Sequence, residues 1–240
     1  MTLVCLLRCF FRSYLVCAAS NPYGLQNVGF IYAMQPGLEA IHHTPEARRE
    51  ALCRYVDRFN CHPFFTPLLM GILLRAEADA AIHPATGPLP PALRTTVANT
   101  LSALGDVCIS GGLAATWVLF TSLLLLADQT MLALGLLACF FLLAQCARGA
   151  GFFWGWKRGL AALGTITRWQ PMLVASAIKY CNALLLALFF YWVMPPLPWW
   201  QTGMAFLGFF ASVWVGERLH APRWALVGWN FAWFTLLYLL

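Results

Sequence analysis

The chain has 240 residues, of which 61% are hydrophobic and 10% charged, and its formal net charge at pH 7 is +6. A soluble domain carries about 25% charged residues, so this composition excludes an ordinary water-soluble fold and indicates a protein of the lipid bilayer. The positive charge is typical of basic cytoplasmic loops. No basic stripe with interleaved aromatic residues lies on a polar element, so a nucleic-acid partner is not expected.

Residues 1–20 are apolar but contain Arg8 and Arg12, which lie four residues apart and therefore on one face of a helix. This pattern predicts an amphipathic helix at the membrane surface. A signal peptide is the alternative, because small residues follow the apolar stretch. However, a signal peptide has its charges before the apolar core rather than inside it.

Residues 21–75 contain two apolar segments, 21–41 and 59–74, that include Gly, Pro and amide residues and are each too short to cross a bilayer. A helical segment of 13 residues covers about 20 Å, so each segment is expected to enter the membrane without crossing it. Broken half-helices with polar groups at membrane depth are typical of substrate sites in secondary transporters. Function is therefore expected in this region.

A charged helix over residues 45–59 is predicted between the two segments, and it belongs at the cytoplasmic face. Thr44 is the expected N-cap, and Pro45 occupies the first helical position. Glu50 and Arg54 have the spacing of a favourable pair on one helix face. Residues 76–96 are polar and rich in proline, and they predict a loop.

Five apolar segments in residues 107–240 predict membrane-spanning or near-spanning helices: 107–127, 131–147, 172–194, 199–215 and 224–240. The predicted fold is an all-α integral membrane protein with an amphipathic N-terminal helix, re-entrant half-helices and about five such helices. A single membrane domain is expected to cover residues 1–240.

The basic residues give this fold an orientation. Arg148, Lys157, Arg158 and Arg168 occur without an acidic residue between them, so this block is expected to be cytoplasmic. The short polar turn at Asp128 then lies outside. The Pro- and Trp-rich turn at 195–200 and the C-terminus follow on the outer side.

Polar residues near the breaks in the apolar segments are candidate ligands for a sugar, because amides and carboxylates bind hydroxyl groups. The candidates are Asn21, Gln26, Asn27, Asn60, His62 and Asp106. The alternative is structural: amides and histidines also satisfy backbone groups freed at a helix break, and Asp106 has the position of a helix cap. Packing or hinge roles are expected for Gly29, Pro36, Pro63, Pro67, Gly71, Gly105, Gly111 and Gly112.

The nine cysteines predict neither disulfides nor a metal site. None of them forms a C-x-x-C pair, and most lie in apolar runs, where cysteine behaves as a small hydrophobic residue. The spacing of Cys53, Cys61 and His62 matches no zinc pattern. No metal and no cofactor is expected.

Three stretches, taken in order, resemble the IID membrane subunit of the mannose/fructose/sorbose family of the bacterial phosphotransferase system. Residues 26–33 with Pro36 are similar to the family segment MQ-x-LGF-x-Y. Residues 59–71, FNCHPFFTPLLMG, are similar to FFNTHP…P-x-x-G. Residues 104–112, LGDVCISGG, are similar to G-x-GDS…G. The resemblance covers about residues 8–165, and a weaker echo is found in Arg148 and the glycines that follow it.

The resemblance implies a sugar pore shared with a sister IIC membrane subunit, in a larger oligomer of the bacterial cytoplasmic membrane. A hexose-class sugar would cross through IIC and IID, and the cytoplasmic IIB protein, supplied by IIA, would phosphorylate it. The IID chain itself would carry no phosphoryl group and would not be an enzyme.

A second hypothesis is a non-transporting IID-like protein with a regulatory or docking role toward phosphotransferase proteins. It is motivated by Tyr23 and Gly24, which stand where the family has an acidic-basic pair, and by Val107, which stands where the family has serine. An intramembrane enzyme using Asp106 and His62 is a third, but no catalytic spacing supports it.

Overall fold

The computed structural model describes residues 1–83, 87–193, 198–219 and 223–239. The predicted all-α fold is confirmed. These residues form no β-strand. Their β-type pairing is limited to two isolated bridges, Asn21–Leu25 and Leu25–Phe59.

The first part of the chain contains four short helices and a 3-10 segment. They are α1 (Leu3–Arg12), the 3-10 segment (Ser13–Ala19), α2 (Asn27–Ile41), α3 (Pro45–Cys53) and α4 (Thr66–Ile82). The predicted N-cap of α3 is confirmed, because the Thr44 hydroxyl accepts a hydrogen bond from the Ala47 N–H at 3.3 Å.

Longer helices follow. Helix α5 (Pro91–Leu104) continues without a break through a π-helical segment (Gly105–Leu113) into α6 (Ala114–Leu126). The remaining helices are α7 (Thr130–Arg158), α8 (Ala161–Arg168), α9 (Pro171–Val193), α10 (Trp199–Leu219) and α11 (Arg223–Leu239).

Three helices in the described part of the chain are long and apolar enough to cross a membrane. They cover Pro91–Leu126, Thr130–Arg158 and Pro171–Val193, with 36, 29 and 23 residues. The first two are longer than the predicted spans 107–127 and 131–147. The first includes residues 91–96, which were expected in a loop, and the second continues through residues 148–158 of the basic block.

Two predicted boundaries were wrong. The charged helix expected to reach residue 59 ends at Cys53. Phe59 lies outside the helix and pairs with another segment: its N–H donates to the Gly24 carbonyl at 3.2 Å and its carbonyl accepts from the Gln26 N–H at 2.9 Å. The expected loop 76–96 is largely helical, since α4 runs to Ile82 and α5 begins at Pro91.

The chain divides into two compact units, Met1–Phe189 and Phe190–Leu240. Within the second unit, α10 and α11 are joined by polar contacts. Trp233 Nε1 donates to the Met204 carbonyl at 3.0 Å, and Asn230 Nδ2 donates to Ser212 Oγ at 2.9 Å. Residues 195–197 of the predicted outer turn lie outside the described residues. The single-domain organisation stays a prediction.

The packing of α4 against α7 forms the centre of the first unit. Residues 66–74 of α4 are buried. A Cβ atom at Gly71 would clash with the Phe152 carbonyl, and one at Gly155 would lie 2.5 Å from the Leu68 carbonyl oxygen. The two backbones therefore approach as closely as only glycine permits. Because Leu68 lies beside Gly155 and Arg75 beside Gly159, the two helices run in the same direction.

Helix α2 contains Pro36 in its interior. Proline has no N–H, so the Tyr32 carbonyl one turn earlier loses its helical donor. Arg12 supplies a replacement: its Nη1 donates to the Tyr32 carbonyl at 3.1 Å, and its guanidinium lies 4.3 Å from the centre of the Tyr32 ring. The arginine of α1 thereby holds α1 and α2 together.

The glycine contact predicts a difference between two substitutions on α7. We expect Gly155→Ala to destabilise the protein by roughly 1–3 kcal/mol, because the added methyl group overpacks the α4–α7 contact. Gly135→Ala is the matched control, since nothing lies within 4 Å of a Cβ atom there. Thermal unfolding of the purified variants measures both effects. Equal unfolding temperatures for the two variants would contradict the proposed close approach.

Candidate functional site

The structure assigns the first three candidate amides mainly to the backbone. Asn21 Oδ1 accepts from the Gly24 N–H at 2.8 Å, and Gln26 Oε1 accepts from the Cys61 N–H at 3.0 Å. Asn27 Nδ2 donates to the Val56 carbonyl at 2.7 Å. These side chains satisfy backbone groups where the chain leaves helical structure, the structural role considered for them above.

His62 lies between the break before α4 and the π-helical segment. Its Nε2 is 2.9 Å from Ser110 Oγ, and its Nδ1 accepts from the Phe64 N–H at 3.2 Å. Gly105 packs directly against the imidazole, where a Cβ atom would clash with the ring. The sequence analysis selected His62 and Gly105 but not Ser110. The contact between His62 and Ser110 joins residues 48 positions apart, so nothing in the local sequence shows it.

Asp106 is not the cap of a helix. Leu104 and Gly105 both have right-handed helical backbone angles, so Asp106 lies inside a continuous helix, at the point where α-helical turns widen into π-helical turns. Its side chain is exposed. π-Helical turns occur frequently at functional sites, because they change the direction of side chains without ending the helix. His62, Asp106 and Ser110 are called the polar layer below.

The position of the polar layer along the helices follows from the residue count. Gly105 lies 14 residues after Pro91, which is about 21 Å along an α-helix. It precedes Leu126 by 21 residues, so the layer lies in the interior of the continuous 36-residue helix, after the more polar α5. The helix begins at the end of the first unit that holds the C-termini of α4 and α7. The polar layer is therefore part of a helix that is long enough to cross a membrane.

Arg148 of α7 is a further charged residue near the polar layer, 10 residues before the end of the helix at Arg158. Its guanidinium lies 4.1 Å from the centre of the Tyr14 ring, and the Tyr14 hydroxyl donates to Gln145 Oε1 at 2.6 Å. Arg148 Nε is buried without a hydrogen-bond partner among the described residues. The sequence predicted that Arg148 belongs to a cytoplasmic basic block, and the structure places it inside helix α7.

Electrostatic effects connect these residues. Burial lowers the pKa of His62 below its ordinary value; the nearby Asp106 carboxylate opposes that effect, and Arg148 adds to it. His62 is therefore neutral at pH 7 and presents one donor and one acceptor nitrogen. A neutral imidazole, a carboxylate and a hydroxyl offer both kinds of hydrogen bond that a sugar hydroxyl uses.

The other candidate residues lie apart from this layer. Asn60 is exposed and lines a separate cleft beside α5. Gly29 packs against the backbone of Val16, whereas Gly111 and Gly112 belong to the π-helical segment. The Gly112 carbonyl accepts from Asn182 Nδ2 of α9 at 3.0 Å. Of the two prolines near His62, Pro67 opens α4 and Pro63 lies in the turn before it.

No group of three or more His, Cys, Asp or Glu residues in the described part of the chain is arranged to hold a metal. Burial raises the pKa of Cys61 to about 12, so its thiol stays protonated and is a poor ligand.

A second polar cluster, which the sequence did not predict, lies at the end of α4. Both oxygens of the buried Glu77 carboxylate are engaged: Arg54 Nη2 donates at 2.6 Å, the Tyr55 hydroxyl at 2.8 Å, and His42 Nε2 lies 3.2 Å away. His42 joins the cluster from the end of α2. Arg94 Nη1 donates to the Arg54 carbonyl at 2.6 Å. The cluster connects α2, α3, α4 and α5.

The family comparison matches the PTS system mannose/fructose/sorbose family IID component to residues 2–180. The chain belongs to this family. It is 28% identical over 132 residues to the fructose permease IID component of Bacillus subtilis (strain 168), and 28% identical over 130 residues to the mannose-specific EIID component of Escherichia coli (strain K12). The alignments cover 48% and 46% of this chain, and the same shares of those proteins, so about half of each relative is matched.

Two solved structures support the fold of this IID component. A chain described as "Structure of membrane protein" has a TM-score of 0.75 at 19% identity. The mannose transporter ManYZ in complex with microcin E492 has a TM-score of 0.59 at 18% identity. Each comparison covers 95% of this chain and 93% of the other. At these identities the likeness concerns the fold.

The Glu77 cluster predicts a stability effect in this IID component. We expect Glu77→Gln to lower the free energy of unfolding by about 3 kcal/mol, because the largely buried Arg54 loses its carboxylate partner. Asp79→Asn, on the same helix, breaks only the exposed pair with Arg75 and should cost less than about 1 kcal/mol. Thermal unfolding compares the two variants. A larger loss in Asp79→Asn would contradict the assignment.

The same carboxylate gives a pH dependence. Burial by itself raises the pKa of Glu77, but hydrogen bonds from Arg54 and Tyr55, the Arg54 charge and the His42 contact together lower it below the ordinary value. Its contribution to stability is therefore present above the unfolded-state pKa and is lost as pH falls through the folded-state pKa. We expect the unfolding temperature to fall with acidification below about pH 4. The fall should be smaller in Glu77→Gln.

Proposed function

We propose that this chain is a working transport subunit that forms, together with a IIC membrane subunit, the pathway by which a hexose-class sugar crosses the bacterial cytoplasmic membrane. The observation that carries the proposal is the polar layer: an exposed Asp106 beside the His62–Ser110 contact, on a π-helical segment in the interior of a helix that is long enough to cross a membrane. A chain that only anchored other proteins would have no use for an exposed carboxylate within such a helix.

The polar layer has the groups that sugar hydroxyls need. The Asp106 carboxylate accepts hydrogen bonds strongly, and the neutral His62 both donates and accepts. The amides Asn21, Gln26 and Asn27 support the neighbouring backbone. In this proposal they stabilise the backbone around the pathway and do not bind the sugar directly.

Phosphorylation belongs to the partners in this proposal. The IIB protein, supplied by IIA, transfers the phosphoryl group to the sugar at the cytoplasmic end, and the IID chain carries none. The basic ends of α7 and α8 face the cytoplasm and the C-terminus lies outside. The complete complex is a higher oligomer of IIC and IID chains.

One substitution separates a sugar contact from a structural role. We expect Asp106→Asn to raise the KM for sugar uptake by about tenfold, because one charge-assisted hydrogen bond is weakened, while assembly with IIC is unchanged. Asp128→Asn is the matched control, since Asp128 lies in the exposed turn between α6 and α7. Loss of assembly in Asp106→Asn, with sugar affinity kept in the remaining complexes, would sink the sugar-contact role.

The orientation is tested separately by cysteine labelling. A cysteine at position 128, in a background without the native cysteines, should react with a membrane-impermeant maleimide added to intact cells. One at position 46, at the start of α3, should react only after the cells are opened. The reverse pattern would overturn the orientation, because α6 and α7 would then be inverted.

The second candidate function is a non-transporting partner of phosphotransferase proteins. It is favoured by Tyr23, whose side chain is exposed and which stands, with Gly24, where the family has charge. Sugar uptake in cells that express IIC with and without this chain decides between the two functions. Equal uptake in both would support the regulatory function and exclude transport.

A further inference from the structure

Helix α9 contacts the π-helical segment through a polar side chain, Asn182. Asn182 Nδ2 donates a hydrogen bond to the Gly112 carbonyl at 3.0 Å, and Asn182 Oδ1 accepts one from the Thr116 hydroxyl at 2.7 Å. The Thr116 oxygen also lies 3.2 Å from the Gly112 carbonyl oxygen. Both ends of the Asn182 amide are therefore engaged by the helix that carries the polar layer, although the sugar contacts proposed above make no use of Asn182.

The contact with α9 extends along the segment. The Cys108 thiol donates to the Pro171 carbonyl, at the start of α9, at 3.5 Å. Asn182 comes 11 residues after Pro171 and contacts Gly112, near the other end of the segment. The two helices therefore run in the same direction here. The segment is held by α9 through these contacts and by His62 through the polar layer.

The π-helical turns explain how one imidazole ring contacts two residues of the segment. Gly105 packs directly against the His62 ring, and Ser110 Oγ lies 2.9 Å from His62 Nε2. In a regular α-helix, two residues five positions apart point about 140° away from each other, so they cannot both face one ring. In a π-helix the backbone hydrogen bonds join residues five positions apart, which then lie on the same side. The His62–Ser110 contact therefore depends on the wider turns.

The wider turns need a hydrogen-bond donor where they end. When five-residue hydrogen bonds return to four-residue ones, one carbonyl at the junction is passed over by the backbone N–H groups. Gly112 is the last residue but one of the segment, and its carbonyl receives the Asn182 donor. A donor from another helix stabilises the π-helical form, because it replaces a partner that a regular α-helix would supply from its own backbone.

We propose that Asn182 is a positioning residue for the polar layer. By donating to the Gly112 carbonyl it keeps residues 105–113 in their π-helical form, and this form places Gly105, Asp106 and Ser110 around His62. Asn182 thereby acts on the sugar site without touching the sugar. The effect on sugar rests on the proposed function, whereas the effect on the His62–Ser110 contact does not.

A zinc-protection experiment on the purified full chain tests the structural effect. In a background without the native cysteines, Ser110→Cys places a thiolate beside the His62 imidazole, and these two groups are zinc ligands. We expect Zn²⁺ to slow maleimide labelling of this thiolate by about tenfold. When Asn182→Leu is added, the protection should be lost, because residue 110 turns away from His62.

Three further variants make the result specific. Asn182→Asp should lose the protection like Asn182→Leu, because it keeps an acceptor for Thr116 but has no donor for Gly112. Thr116→Val should keep the protection, since the Asn182 donor remains. Ser176→Ala is the matched control, because the exposed Ser176 hydroxyl of α9 bonds only to the Met172 carbonyl of its own helix. Protection that persists in Asn182→Leu and Asn182→Asp, or that is absent with Asn182 intact, overturns the proposal.

Sugar uptake tests the effect on function. We expect Asn182→Leu to raise the KM by about tenfold, and its combination with Asp106→Asn to add less than about twofold to the effect of Asp106→Asn, because both changes act on one site. A lower maximal rate at an unchanged KM would indicate fewer assembled complexes and would overturn the positioning role. If the unaltered chain supports no uptake, the transport proposal fails, and the zinc experiment still decides whether Asn182 holds the segment.

Discussion

The close approach of α4 and α7 at Gly71 and Gly155 is the contact on which the rest of the first unit depends. It fixes the direction of α4 relative to a long apolar helix and places the start of α4, with His62 before it, beside the interior of that helix. It also brings the end of α4, with Glu77, to the basic end of α7. One contact of small residues thereby sets both the level of the polar layer and the position of the charged cluster.

Breaks in helical structure leave unpaired backbone groups in an apolar environment, and at two breaks in the described residues a side chain satisfies such a group. Arg12 replaces the donor that Pro36 lacks, and Gln26 accepts from the Cys61 N–H before α4. An unpaired buried backbone group costs several kcal/mol at membrane depth, which explains why amides are concentrated here. The amides of residues 21–27 are thus largely committed to the fold. Asp106 and His62, in contrast, keep hydrogen-bonding capacity that is not used by the backbone.

The sequence predicted the helical fold, the Thr44 cap and the tight turn at Asp128, because each depends on residues that are close in the chain. It did not predict the continuity of α5 with α6, since Gly105 and Asp106 resemble a helix start in any local window. It also missed the Glu77 cluster, in which Arg54, Tyr55 and His42 approach from two other elements. The sequence analysis assigned Glu77 to a polar loop, because no feature of the neighbouring sequence shows that this residue is buried.

The polar layer and the Glu77 cluster are connected by one helix, α4. The polar layer is held by His62, four residues before α4, and the charged cluster is held by Glu77, 11 residues or about 16 Å along α4 from its first residue, Thr66. Because α4 packs tightly on α7, a displacement of one region is transmitted to the other as a movement of the whole helix rather than as local bending. The polar layer and the charged cluster therefore lie on the same rigid element of the first unit.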